Sequence, residues 1–100
     1  MKTPRMNQAE KLARTLKHIS HPLRLLMICM LSEGEKCAGD IVARLGTTKG
    51  NISQHLRVLS DNGVIAYRRE ANRVIYRIAD GKLVKLLDAM RNLYCPGGGH

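Results

Sequence analysis

Apolar residues along the first third of the chain recur at the spacing of α-helices. Between residues 7 and 19 they return every three or four positions, which predicts a helix with a single apolar stripe. The sequence Ser-His-Pro then breaks the pattern, and Pro22 suits the first position of a second helix, with Ser20 or His21 as its cap. Because residues 23–31 are apolar nearly all round, we expect this second helix to be the central, buried one.

Two more helices are predicted over residues 37–45 and 48–62, joined by a short turn. Gly46 ends the first of them, and Thr48 has the side chain of a helix N-cap. The residues expected to face inward on the second of these helices are Ile52, Leu56 and Leu59. A helix, a short capped turn and a further helix form the arrangement that lays the last helix in the major groove of DNA.

The period of the pattern changes to two after Gly63, where a left-handed helix end is expected. Residues 64–69 and 73–78 are typical of two strands around a turn, and residues 82–94 of a last helix with a wide apolar stripe. We therefore predict a mainly α fold: a winged helix-turn-helix with about five helices and a β-hairpin wing of two strands.

These elements account for one domain that covers residues 1–100. We expect residues 1–5 to be a flexible basic start and residues 96–100 a flexible end, since glycines lose the most conformational entropy when ordered. A domain of this size buries a limited share of its surface, so dimerisation would enlarge its core. Because no segment resembles a signal peptide or a membrane span of roughly 20 residues, we expect a cytoplasmic protein without a membrane partner.

The charge of the chain favours a polyanionic partner. Lysine and arginine number 17 against 8 acidic residues, for a formal net charge of +9. Nucleic acid is the commonest partner of so basic a domain, and a solvated basic surface or a membrane-surface protein are the alternatives. The predicted DNA contacts of the helix over residues 48–62 are Thr48, Lys49, Asn51, Ser53, Gln54, His55 and Arg57, and those of the hairpin are Arg68, Arg69, Asn72 and Arg73.

Gly50 is an unusual residue inside a predicted DNA-reading helix, because glycine weakens a helix by roughly 1 kcal/mol relative to alanine. One interpretation is close approach to the DNA backbone, and the other is tight packing against the preceding helix. The sequence alone favours neither.

The sequence carries no pattern that is typical of a catalytic centre. It has no Cys-x-x-Cys pair, no glycine-rich phosphate loop and no paired carboxylates, so we do not expect an enzyme. The three tyrosines do not suggest a stacking platform for RNA.

Three segments of the chain carry a family likeness. They are residues 20–26 (SHPLRLL), 46–63 (GTTKGNISQHLRVLSDNG) and 73–78 (RVIYRI), and the Ser-x-His-Leu-x-x-Leu string inside the second is quite specific. With these segments the chain resembles the ArsR/SmtB family of winged-helix repressors over about residues 7–95. The resemblance implies a homodimer joined by its first and last helices, which binds an inverted-repeat operator in double-stranded DNA and releases it when an inducer binds. The apolar stripes of the two terminal helices independently call for a partner surface.

The metal sites common in that family are incomplete in this chain. One uses a Cys-x-Cys pair at the start of the third helix, where this chain has Cys37 but Gly39 in the second place, so a soft metal would lose a thiolate. The other uses Asp and His residues on the last helix, which has no histidine here. We therefore expect no metal and no other cofactor. The alternative is a thiolate site for a metal or metalloid, formed by Cys37 with Cys95 or Cys29.

Cys37 and Cys95 remain as candidates for a redox sensor. Cys37 begins a helix and follows Lys36, an environment that favours the reactive thiolate, and Cys95 follows the last helix. The pair resembles the persulfide-responsive subgroup of the family. By that resemblance, reactive sulfur species or another oxidant would join the two cysteines through a disulfide or a short polysulfide bridge and shift the recognition helices. The bland alternative is that both are ordinary thiols, and Cys29 is expected to be a small core residue.

Overall fold

Most of the helices begin or end at a residue that the sequence marks as a cap or a helix end. In the computed structural model, which describes residues 3–94, the elements in chain order are α1 (Pro4–Ile19), α2 (Pro22–Ser32), β1 (Lys36–Cys37), α3 (Ala38–Leu45), α4 (Lys49–Asp61), β2 (Ile65–Glu70), β3 (Arg73–Ile78) and α5 (Gly81–Tyr94). The predicted flexible end and Cys95 lie outside the described residues. The winged helix-turn-helix with five helices is confirmed.

The predicted caps account for most of these boundaries. His21 is the N-cap of α2, and its ring nitrogen Nδ1 accepts the N–H of Leu23 at 3.1 Å. Gly46 and Gly63 both have positive φ, as a left-handed helix end requires. The first helix begins three residues earlier than predicted, because the Thr3 hydroxyl caps it by accepting the N–H of Met6. The chain is therefore helical from Pro4, within the predicted flexible start.

The wing contains a strand that the sequence did not reveal. β1 pairs with β3, so the sheet has three antiparallel strands in the order β1-β3-β2. Cys37 lies opposite Ile75 and Lys36 opposite Tyr76. The hairpin between β2 and β3 turns through two residues, and the first of them, Ala71, has φ +58°, a conformation that glycine usually supplies.

The core is aliphatic and lies between the helices. Ile52, Leu56 and Leu59, the predicted inward face of α4, are all buried, which confirms that prediction. The largest fully buried side chains among the described residues are Met27, Ile28, Ile41, Ile52, Leu56, Leu59 and Leu87. Helix α2 contributes two of these, Met27 and Ile28, but its Leu25 and Leu26 are 39% and 53% exposed, so the prediction that α2 is buried nearly all round is wrong on that side.

Helices α1 and α5 leave large apolar side chains uncovered. On α1, Leu12 is 48% and Leu16 is 40% exposed, and on α5 Leu93 is 76% exposed. These stripes do not complete the core of a single chain, so they form an apolar surface on two terminal helices. No helix within residues 3–94 has the length and apolar character needed to cross a bilayer.

Candidate nucleic-acid interface

The first turn of α4 presents backbone N–H groups toward solvent. The Thr48 hydroxyl accepts the N–H of Asn51 at 3.1 Å, and the Asn51 side chain in turn donates to the Thr47 hydroxyl at 3.1 Å. Both hydrogen bonds fix the turn between α3 and α4. The remaining N–H groups of this exposed turn carry the positive end of the helix dipole, which suits a phosphate.

Most of the predicted contact residues of α4 lie on its solvent side. The exposed ones are Thr48, Lys49, Ser53, Gln54 and Arg57. Asn51 and His55 are half-buried. Since Ile52, Leu56 and Leu59 hold the opposite side in the core, α4 is amphipathic, with a polar face of the kind that meets base-pair edges.

Gly50 lies on the exposed side of α4. A Cβ added there would meet no atom of the protein within 4 Å. Tight packing against α3 is therefore the wrong interpretation of this glycine. Close approach of another molecule is the interpretation that the geometry leaves.

A groove runs between α4 and the wing. It is lined by Gly50, Ser53, Gln54, Arg57, Ser60, Asp61, Tyr67, Arg69, Val74 and Tyr76. The rings of Tyr67 and Tyr76 lie 6.0 Å apart on its wing side, and burial raises the pKa of Tyr76 above its ordinary value. The sequence reasoning missed both tyrosines, although their directly opposed positions on the two predicted strands were a usable signal.

The arginines of the wing fall into two groups. Arg69 lines the groove, whereas Arg68 points to the other face of β2. There Arg68 pairs with Glu35 at 2.5 Å and with Glu70 at 2.9 Å. The hydrogen bond to Glu35, followed by the one to Glu70, raises the pKa of Arg68. The hydrogen bond between Arg68 and Glu35 also lowers the pKa of Glu35. Arg68 is thus already engaged by carboxylates in the DNA-free chain.

The tip of the wing holds the other two predicted contacts, Asn72 and Arg73. Both are exposed. Arg73 also lies close enough to Asp40 of α3 for its charge to help lower the pKa of that carboxyl. Arg73 at the tip therefore lies near α3 of the helix-turn-helix.

His55 faces the protein. Its Nδ1 accepts a hydrogen bond from Arg24 Nε at 3.0 Å, and its ring lies 4.7 Å from the ring of His21, measured between centroids. Burial, followed by the charges of His21 and Arg24, lowers the pKa of His55 below its ordinary 6.5. The structure therefore places this predicted contact residue against α2.

Cys37 is half-buried and joins two elements. It is the N-cap of α3 and a residue of β1, and its N–H donates to Asp40 Oδ2 at 3.2 Å. Hydrogen bonds from the side chain and then the backbone of Cys37 are the largest causes that lower the pKa of Asp40. A Cβ on Gly39 would lie 3.8 Å from Cys37 Sγ, so a second cysteine at that position would neighbour the first.

Cys29 is the other cysteine that the structure describes. Cys29 is half-buried in α2, and its carbonyl accepts hydrogen bonds from Ser32 and Arg91. Cys95 lies outside the described residues. Within residues 3–94, no group of three or more His, Cys, Asp or Glu side chains is placed to hold a metal ion.

A helix-turn-helix with an exposed polar second helix, followed by a basic two-stranded wing, defines a winged helix-turn-helix DNA-binding protein. Residues 21–67 match the family described as "Bacterial regulatory protein, arsR family". The chain belongs to this arsR family. It is accordingly a transcriptional regulator and not an enzyme.

Similar proteins agree with this assignment. The chain is 38% identical over 89 residues to the HTH-type transcriptional regulator YgaV of Escherichia coli. This match covers 88% of this chain and 90% of that protein. It is 34% identical over 88 residues to the Biofilm growth-associated repressor of Xylella fastidiosa, with 88% of this chain and 77% of the relative covered.

Solved structures show the same fold. The transcriptional repressor BigR from Xylella fastidiosa superposes with a TM-score of 0.83 at 33% identity, covering 97% of this chain and 100% of that one. HlyU from Vibrio cholerae superposes with a TM-score of 0.83 at 30% identity, and the match covers 88% of this chain and 96% of that one. A homodimeric winged helix-turn-helix DNA-binding domain from Mycobacterium bovis superposes with a TM-score of 0.80 at 25% identity. The match covers 93% of this chain and 86% of that one.

Proposed function

We propose that this chain is a homodimeric, cytoplasmic repressor that binds an inverted repeat in double-stranded DNA and leaves it when Cys37 and Cys95 are oxidised. The observation that carries the DNA-binding part is the two-sided character of α4. Three of its residues are buried, and the polar side between them and the wing opens into a groove with Arg57 and Arg69 on its walls. We expect α4 to enter the major groove and the wing to follow the phosphate backbone.

The charges of the two sides of this groove support contact with a phosphate backbone. Arg57 and Lys49 project from α4, and Arg69 and Arg73 belong to the wing; all four side chains are exposed. None of the ion pairs observed within residues 3–94 involves them. When such exposed arginines and lysines bind phosphates, the DNA releases counterions that were condensed on it. This release stabilises the complex.

The uncovered stripes of α1 and α5 support the homodimer. Leu12, Leu16 and Leu93 leave apolar surface of α1 and α5 exposed to water in the single chain, and a partner surface would cover it. Two copies related by a two-fold axis bury such stripes against each other. Their recognition helices then lie about one turn of DNA apart, about 34 Å, and bind the two halves of an inverted repeat.

The DNA-binding part is tested by selection from a random pool of duplexes, followed by titration of the selected duplex in rising salt. We expect a two-fold symmetric site and an affinity that falls steeply with salt. Gln54→Ala should reduce discrimination at one base pair of each half-site by about 1–3 kcal/mol. Gln8→Ala, at an exposed position of α1 outside the groove, is the matched control. A selected pool without symmetry, or no binding at low salt, contradicts the proposal.

The thiol switch is supported by the place of Cys37 in the fold. A bridge to Cys95 would tie the N-cap of α3 and the strand β1 to the chain that follows α5. In the simplest step two thiols form a disulfide and release two protons and two electrons, which reduce a persulfide to a thiol and hydrogen sulfide. Additional sulfur atoms in the bridge would come from further persulfide molecules.

Mass spectrometry of the intact protein tests this step. The protein is exposed separately to a persulfide donor, peroxide and arsenite. We expect the persulfide-treated chain to lose two hydrogens or to gain whole sulfur atoms, with a peptide that joins Cys37 to Cys95. Cys29→Ser should behave like the wild type and Cys37→Ser should form no bridge. Retention of arsenite by Cys37 and Cys95 without a bridge would favour the metalloid-sensing alternative.

A further inference from the structure

A single guanidinium links α4, the proposed recognition helix, to α1 and α2. Arg24, on α2, donates from Nε to His55 Nδ1 on α4 at 3.0 Å. Its Nη1 donates to the carbonyl of His18, in the last turn of α1, at 3.2 Å. Both hydrogen bonds are part-buried. Arg24 therefore spans three helices, and His55 is the point at which α4 is held.

The position of His55 on the helix explains why it faces inward. It follows the buried Ile52 by three residues, so it lies about 60° around the helix from it. Gln54 and Arg57, by contrast, lie on the far side, in the groove. His55 therefore borders the buried stripe of α4, and its ring packs against the ring of His21, the N-cap of α2.

We propose that Arg24 and His55 are positioning residues for DNA recognition: the hydrogen bond between them sets the orientation of α4, and His55 does not read a base. This inference rests on the proposed DNA-binding function. It assigns to the Ser-x-His-Leu string a role in holding the recognition helix. It also makes Arg24, a residue outside the helix-turn-helix, part of the DNA-binding machinery.

The chemistry of the contact requires a neutral imidazole. An arginine side chain is only a donor, so Nδ1 of His55 must keep its lone pair and the ring must carry its proton on Nε2. The groups that face this ring are His21 and Arg24, and burial together with their charges lowers the pKa of His55. The surroundings thus favour the form of His55 that accepts from Arg24.

Two substitutions of similar size separate positioning from base reading. In His55→Asn the amide oxygen takes the place of Nδ1 and nothing takes the place of Nε2. In His55→Gln the amide reaches the place of Nε2 and leaves Arg24 Nε without its acceptor. We expect His55→Asn to bind the selected duplex like the wild type, and His55→Gln to bind about tenfold more weakly. Equal affinities, or the reverse order, overturn the proposal.

The salt dependence supplies a second readout. A side chain that contacts a phosphate lowers the slope of log affinity against log salt by about one when it is removed. For Arg24→Met we expect weaker binding with an unchanged slope. Adding His55→Gln should cause no further loss, because the hydrogen bond that this change breaks is already absent in Arg24→Met. A reduced slope, or additive losses in the double variant, overturns the positioning role.

A measurement without DNA keeps this inference separate from the proposed function. Nitrogen chemical shifts of the His55 ring in the free wild-type protein report which nitrogen carries the proton. We expect the Nε2–H tautomer at neutral pH. In Arg24→Met we expect the amide hydrogens of α4 to exchange with solvent faster than in the wild type. If the wild type binds no duplex while this tautomer is found, the proposed function fails and the contact stands. The Nδ1–H tautomer overturns the contact itself.

Discussion

Cys37 lies opposite Ile75 in the ladder between β1 and β3, so the residue that caps α3 is also hydrogen-bonded into the sheet of the wing. A chemical change at its sulfur acts on the first helix of the helix-turn-helix and on the wing at once. Because the wing carries candidate DNA contacts and α3 leads through a short turn into α4, which carries the others, the place of this thiol in the fold gives the proposed switch a direct mechanical route.

Replacement of Cys37 should separate its structural role from its chemical one. Serine is a favoured N-cap, so we expect Cys37→Ser to keep the stability and the DNA affinity of the wild type but to lose the response to a persulfide donor. Cys37→Ala has no side chain that can cap α3 and should be about 1 kcal/mol less stable than Cys37→Ser in urea unfolding. DNA titration with and without the donor is the measurement. A full response of Cys37→Ser would exclude the switch and leave the repressor intact.

Gly50→Ala should stabilise the protein and weaken DNA binding. The added methyl group meets nothing within the protein, so the free energy of unfolding should rise by roughly 1 kcal/mol, the difference in helix propensity. The same methyl group would stand between α4 and the DNA backbone. Urea unfolding and duplex titration measure the two effects.

Gly81→Ala is the matched control for this substitution, since Gly81 also begins a helix and has open space at its Cβ. We expect it to leave DNA affinity unchanged. If Gly50→Ala binds as tightly as the wild type, close approach at this glycine is disproved.

The two neighbouring wing arginines should differ in their effect on DNA affinity. Arg69 lines the groove, so Arg69→Ala should lower the salt slope by about one. Arg68 is paired with Glu35 and Glu70, and Arg68→Ala should have a smaller effect. Glu35→Gln releases one partner of Arg68 and removes a negative charge near the DNA, so it should raise affinity at low salt. Equal effects of Arg68→Ala and Arg69→Ala would contradict this difference.

Leu16→Glu should convert the proposed dimer into a folded monomer. The side chain is 40% exposed in one chain, so its replacement costs the monomer little, whereas burial of a leucine in a dimer contributes about 1.5–3 kcal/mol. Sedimentation measures the oligomeric state, and circular dichroism checks the fold. Ala43→Glu, at an exposed position of α3, is the control. A Leu16→Glu variant that remains dimeric would place the interface elsewhere.

Stability should fall when the solution is acidified below about pH 6.5, partly because of His55. The unfolded chain binds a proton at the ordinary pKa, but in the folded chain burial lowers the pKa of this group. The contribution is therefore present above pH 6.5 and is lost as the pH falls toward the lowered pKa. Urea unfolding of the wild type and of His55→Asn, at about pH 7.5 and about pH 5.5, measures it. An identical loss in both proteins would show that other groups cause it.

The helices could be predicted from the sequence because their signals are local. Thr48, His21 and Gly46 act within a few residues of themselves, and each lies at the boundary that it marks. The buried face of α4 follows from spacing alone. The strand β1 could not be predicted in this way, since two residues show no period and their pairing with β3 depends on distant chain.

The candidate site was predicted less completely, because side-chain partners depend on the tertiary fold. No sequence signal near His55 predicts its hydrogen bond with Arg24, which lies 31 residues away in the chain. In the same way Arg68 finds Glu35 at a separation of 33 residues. A pattern of polar residues thus indicates which surface faces solvent, but it does not distinguish a side chain that is free to bind DNA from one that already has a partner.

The central place of β3 in the sheet limits how the protein can respond to a signal. A hairpin of β2 and β3 alone could move relative to the helices. Here β3 also pairs with β1, and β1 leads directly into α3. We therefore expect the wing and the helix-turn-helix to move together. An inducer would then change the distance and angle between the two such units of a dimer, and operators with altered spacing between their half-sites should tolerate that change differently.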